Sequence, residues 1–169
     1  MEEKKYDENQ FLTFMLGGEV FGIGILHIKE IIEYGGLTFV PMMPPFIRGV
    51  INLRGNVVPV IDMSVRFGQE QTPITKKTCI VIIEAKFSNE KLDIGVLVDS
   101  VNEVIDITPS EIEPPPSFGT KIQIDFIYGM GKIDGKFIIL LNVNKVLSTS
   151  ELAVIEEKTN LTKEIRQEA

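Results

Sequence analysis

The strongest constraint on what this chain can fold into is an internal repeat. Phe46-Ile47-Arg48-Gly49, Leu53-Arg54-Gly55, Ile61-Asp62-Met63 and Phe67 recur eighty positions later, without a gap, as Phe126-Ile127-Tyr128-Gly129, Ile133-Asp134-Gly135, Leu141-Asn142-Val143 and Leu147. Apolar positions alone recur by chance in β-rich chains, but the pairs Gly49/Gly129 and Gly55/Gly135 mark particular backbone conformations. Upstream, Gly24-Ile25-Leu26 and Ile28-Lys29-Glu30-Ile31-Ile32-Glu33 resemble Gly95-Val96-Leu97 and Val101-Asn102-Glu103-Val104-Ile105-Asp106 once two residues are inserted. A unit of about 60 to 80 residues buries little surface alone, so the two copies are expected to pack on each other.

Each copy reads as β structure, because its apolar runs are short, rich in Val and Ile, and punctuated by Gly, Pro, Asn and Asp. Three hairpins are predicted: 11–16 with 20–23 around Gly17-Gly18, 50–53 with 57–61 around Arg54-Gly55-Asn56, and 131–133 with 137–141 around Asp134-Gly135. Pro59 has no N–H, which points to an edge strand or a bulge there. Asp62 and Asn142 are candidate N-caps for one helical turn each, and Thr108-Pro109-Ser110-Glu111 has the form of a capping box. The expected organisation is a tail over 1–9, a first β-barrel unit over 10–70, a second over 71–147, and a C-terminal helix with a frayed end over 148–169. Residues 10–155 together would make one body, with the seam near Gly68 to Lys77, and the stiff loop Glu113-Pro114-Pro115-Pro116 inside the second unit.

Little in the chain points to catalysis. There is one cysteine, Cys79, in an apolar run that favours an inert buried thiol, and one histidine, His27, so a zinc site of the usual nitrogen and sulfur ligands is excluded. Phosphate-binding loops, nucleophile elbows and paired metal-binding histidines are absent from the sequence, and no metal or cofactor is expected. His27 with Glu30 or Glu33 remains a candidate acid and base in a small-molecule-binding or catalytic barrel. A net charge of −7 over 169 residues, with no basic patch, disfavours nucleic acid, and no uncharged stretch is long enough for a membrane span. A soluble, cytoplasmic protein is the expectation.

The repeats differ most at the hairpin turn. Asp134-Gly135 suits a tight turn, whereas Arg54-Gly55 gains nothing locally, so Arg54 is expected to serve a contact. Gly49-Val50-Ile51-Asn52-Leu53-Arg54-Gly55 and Val57-Val58-Pro59-Val60-Ile61-Asp62, with Phe21-Gly22-Ile23 and Ile28-Lys29-Glu30-Ile31-Ile32 upstream, resemble the CheW family of bacterial chemotaxis adaptors. Gly95-Val96-Leu97-Val98-Asp99 and Gly129-Met130-Gly131 match the family's second half, so the likeness spans about 10–155. It implies a mainly β fold of two SH3-like five-stranded barrels and a scaffold without catalysis. Such a scaffold couples the cytoplasmic tips of methyl-accepting chemoreceptors to the regulatory domain of the histidine kinase CheA, in arrays at the inner face of the membrane. The resemblance puts receptor contacts at Ile28, Glu30, Gly49, Asn52 and Arg54, and the kinase face on 79–147 without assigning side chains. A CheW-like module of another signalling adaptor is the nearer alternative. The Met42-Met43 stretch, Met63-Ser64 after Asp62 and the lack of Trp depart from the family pattern.

Overall fold

The computed structural model describes residues 7–87, 89–114, 126–146 and 151. The strands are β1 (Gln10–Leu16), β2 (Glu19–Gly24), β3 (Ile28–Glu33), β4 (Ile47–Leu53), β5 (Asn56–Asp62), β6 (Cys79–Phe87), β7 (Glu90–Val98), β8 (Ser100–Asp106), β9 (Ile112–Glu113), β10 (Ile127–Ile133) and β11 (Lys136–Leu141). One short helix, α1 (Met63–Arg66), and single 3-10 turns at Ile25–His27, Pro109–Glu111 and Val143–Lys145 complete the described elements. All three predicted hairpins form. Both predicted caps form too: Asp62 accepts from the Ser64 N–H ahead of α1, and Asn142 accepts from the Asn144 N–H ahead of its 3-10 turn. The helix expected over 148–169 lies outside the described residues, Glu151 excepted.

The fold is mainly β, with two sheets ordered β8-β1-β2-β11-β10-β9 and β3-β6-β7-β5-β4. Exchanging β1, β2, β8, β10 and β11 for β6, β7, β3, β4 and β5 converts one order into the other apart from the two-residue β9, which is the repeat expressed as structure. The units are not successive halves of the chain, however. Each sheet holds one hairpin from one half and the rest of its strands from the other, four in the first sheet and three in the second, so a boundary between 70 and 71 cuts both sheets. The upstream alignment also shifts. Parallel pairing sets Leu140 against Gly22 and Val60 against Gly95, so Gly22 rather than Gly24 is the counterpart of Gly95, and the two-residue insertion disappears. A Cβ at either glycine would press on its partner, at 2.9 Å from Leu140 and 3.1 Å from Val60. Pro59 is not on an edge strand, because β5 lies between β4 and β7, but the ladder to β7 begins only at Val60, one residue beyond the missing N–H.

Three apolar clusters follow from strand alternation. Val58, Val60, Ile80, Ile82 and Leu97 fill the interior of one sheet, and Phe11, Ile107, Ile138 and Leu140 that of the other. The opposite faces of the same strands, with Leu12, Phe14, Ile61, Val81, Ile83, Ile94, Val96 and Leu141, meet in a larger central cluster between the sheets. Strands β6 and β11 are therefore buried on both faces, which explains their unbroken apolar runs. Each fully buried Ile or Leu contributes about 1.5 to 3 kcal/mol.

The seam between the repeats carries a cation. The Arg66 guanidinium lies 4.4 Å from the Phe46 ring centroid and 4.5 Å from that of Phe126, which are repeat counterparts. Its Nε donates to the carbonyl of Val146, the counterpart of Arg66 itself, at 3.2 Å, and NH2 donates to Glu151 at 2.7 Å.

Candidate functional site

Strand β4 carries a bulge at Arg48 and β10 one at Tyr128, again repeat counterparts. Beside each bulge a glycine accepts a crossing backbone: a Cβ on Gly49 would stand 2.6 Å from the Thr38 oxygen, and one on Gly129 3.0 Å from the Glu113 oxygen. That close approach is why both repeats carry glycine there. It lets Thr38 bridge Val50 through two hydrogen bonds of 2.9 Å, so the segment after β3 is tied to the far edge of its own sheet. The sheet curls, and its edge strands β3 and β4 come together.

The consequence appears at the β4–β5 turn. Arg54 and Gly55 form the two-residue turn at φ 52 and 86, and the Gly55 N–H donates to the Asn52 side chain at 2.9 Å. From that turn the Arg54 guanidinium reaches across to β3 and grips Glu30 with two parallel bonds, NH1 to Oε1 at 3.1 Å and NH2 to Oε2 at 2.7 Å. A bulge at Lys29 sets this up by putting Glu30 opposite Ile82, on the face that closes the barrel interior. The hydrogen bonds to Glu30 push the Arg54 pKa further up. Arg54 is nonetheless 74% exposed, against 25% for Glu30, so the pair is a rigid mount for an accessible guanidinium rather than a buried bridge. Beside it Lys29 bonds Asp93 at 3.0 and 3.2 Å, while Glu84 stands 3.9 Å from Lys29 and 3.6 Å from Lys91.

Of the residues singled out from sequence, Glu30, Asn52 and Arg54 converge at this turn. Ile28 packs against the central cluster and Gly49 is buried under Thr38, so both shape the site from beneath. The pairing of Glu30 with Arg54 was not legible in the sequence, where Glu30 stood out as a receptor contact by resemblance and as a possible acid or base beside His27. His27 lies elsewhere, on the 3-10 turn after β2, exposed and with its pKa lowered by partial burial. Among the described residues no hydrogen bond joins it to Glu30 or Glu33, and both Glu30 oxygens are taken by Arg54. Cys79 is half-buried, its Sγ 3.4 Å from the Lys77 carbonyl, and its thiol pKa is raised by burial and then by Glu33. No cluster of metal-binding side chains occurs among the described residues, and no helix there is long and apolar enough to cross a membrane.

Comparison with known proteins agrees with this architecture. The CheW-like domain family matches residues 10–151. The chain is 35% identical to the chemotaxis protein CheW of Klebsiella aerogenes over 147 residues, covering 87% of this chain and 86% of the relative. With the Bacillus subtilis chemotaxis protein CheW it shares 33% identity over 150 residues, 88% of this chain and 94% of the relative. Its backbone is similar to the crystal structure of the scaffolding protein TtCheW from Thermoanaerobacter tengcongensis, with a TM-score of 0.75 and 35% identity over 86% of this chain and 96% of that one.

Proposed function

The chain belongs to the CheW family and is a chemotaxis adaptor, and from that premise we propose that it couples chemoreceptor tips to the histidine kinase CheA by surface recognition, without catalysis. The observation that carries the receptor half is the Arg54 mount: an always-charged planar donor on a turn residue at positive φ, gripped by Glu30 and left open to solvent. A receptor tip presents helices, so Arg54 would fix their register through a charge-assisted hydrogen bond while Ile28 and Gly49 hold the surface in shape. The kinase's regulatory domain would meet the face contributed by 79–147. A contact that must assemble and stay responsive suits a micromolar affinity, about 8 kcal/mol. The complex would then sit in receptor arrays at the cytoplasmic face of the membrane.

Retention of a purified receptor signalling fragment and of the CheA regulatory domain on the immobilised protein tests this. Both should be retained with dissociation constants in the range of about 1 to 50 µM. Loss of both refutes coupling, and retention of only one reduces the protein to a ligand of that partner. A barrel that used His27 as a base would lose its function on His27→Ala, whereas coupling would survive that change.

A further inference from the structure

Among the described residues, the two most exposed large apolar side chains stand in one loop, that between β3 and β4: Phe39 at 76% and Met42 at 80%. The loop is braced rather than slack. The Thr38–Val50 bridge ties its start, the Ile47 N–H donates to the Pro44 carbonyl at 2.9 Å near its end, and Pro41, Pro44 and Pro45 stiffen the stretch between. Met42 is held there at φ 67, a backbone conformation that L-residues with long side chains avoid. A rigid loop thus displays its two largest apolar groups to water.

These side chains flank a depression of about 470 Å³ lined by Phe39, Met42, Met43, Pro44, Arg48 and Gln71 among others. Arg48 is its one charged lining residue among the described residues. The NH1 group of Arg48 donates to Asp62 at 2.9 Å and to the Thr72 carbonyl at 3.2 Å. Asp62 is fully buried and is satisfied by Ser64 and Thr72 as well. The other edge of the guanidinium, Nε and NH2, makes no hydrogen bond among the described residues, although the side chain is 17% exposed. That edge can take a carboxylate side-on through two parallel bonds. Arg48 lies six residues along β4 from Arg54, about 20 Å at strand spacing, so the depression is separate from the Arg54 mount.

We propose that this depression docks a short segment of a protein partner in which a large apolar side chain stands beside a carboxylate. The apolar group packs on Phe39, Met42 and Met43, whose thioethers adapt to different shapes, and the open edge of Arg48 takes the carboxylate. Charge selects the occupant, since the depression offers an open cationic edge and no anion among its described lining residues.

Backbone amide NMR shifts of the full chain, titrated with N-acetyl-Phe-Glu-amide and with its uncharged twin N-acetyl-Phe-Gln-amide to about 10 mM, test the assignment in the affinity range open to so small a probe. The acidic probe should give saturable shifts confined to 38–48 and 71–72, and should bind at least about threefold more tightly than the neutral one. Met42→Ser and Phe39→Ser should each weaken both probes, whereas Arg54→Ala should change neither. The probe pair carries the charge test because Arg48→Gln would strand buried Asp62 and endanger the fold. Absence of saturable shifts in the loop overturns the proposal, as does equal affinity for the two probes. Loop shifts that move with protein concentration before any probe is added also overturn it, by showing that the occupant is a second copy of the chain.

Discussion

Arg54 and Asp134 hold the same place in the same two-residue turn, at φ 52 and 50, yet only one of them suits that backbone. A short polar side chain tolerates the left-handed region, whereas arginine gains nothing there. Arg54→Asn should therefore leave the melting temperature unchanged or raise it, while weakening retention of the receptor fragment by about tenfold or more, as loss of a charged hydrogen bond does. A fall in both together would mean that Arg54 serves the fold. The misfit of Arg with its turn was readable in the sequence; the grip on Glu30 was not, because it depends on a sheet curling until its edge strands meet. A second residue-scale outcome concerns pH. The Glu111 carboxylate accepts from the Thr108 N–H at 3.0 Å and from its hydroxyl at 2.8 Å, and these bonds hold its pKa below the ordinary 4.5, the backbone bond being the larger cause. The unfolded chain then binds more protons in acid, so the stabilisation is present above 4.5 and is lost as pH falls through the lowered value. Glu111→Gln should melt earlier than the parent at pH 7, and the difference should shrink as pH falls below 4.5 and through the lowered value.

At the scale of elements, the two repeats show how one local motif acquires different weight. Asp62 and Asn142 both cap one helical turn, as their sequence positions predicted. Asp62, however, is fully buried and accepts from Arg48, the Thr72 N–H and the Thr72 hydroxyl besides its capping bond. Removing it strands a guanidinium and two other donors in the interior. Asp62→Ala should cost about 3 to 5 kcal/mol in urea unfolding, as the breaking of a buried pair does. Asn142→Ala should cost only about 1 kcal/mol, the ordinary worth of a cap; equal costs would show that the Arg48 pair contributes nothing. The caps were legible because they obey local rules. The difference in weight was not, since Thr72 arrives from a loop ten residues downstream of Asp62 whose course no periodicity reveals.

At the scale of the whole molecule, the repeat disclosed two copies but not which strands pair with which. Neighbours in sequence usually neighbour in space, and that rule assigns 10–70 and 71–147 to separate barrels. Here the β1–β2 hairpin pairs instead with β8 and β11, and the β6–β7 hairpin with β3 and β5. Alternating patterns are equally satisfied by either exchange, so hydropathy alone does not choose. It follows that fragments 10–70 and 71–147 should each be unfolded by circular dichroism, and that mixing them should restore β structure. Independent folding of either fragment would contradict the interleaved sheets. The same interleaving reaches back to the ribosome. The β1–β2 hairpin emerges first, but β8 and β11, its partners on either side, are synthesised some 76 and 112 residues after Gly24. At about 5 to 20 residues per second that is a wait of roughly 4 to 22 seconds. Throughout it Leu12, Phe14 and Phe21 lack the neighbouring strands that cover them in the folded protein, so the nascent chain carries uncovered apolar surface until β11 is made.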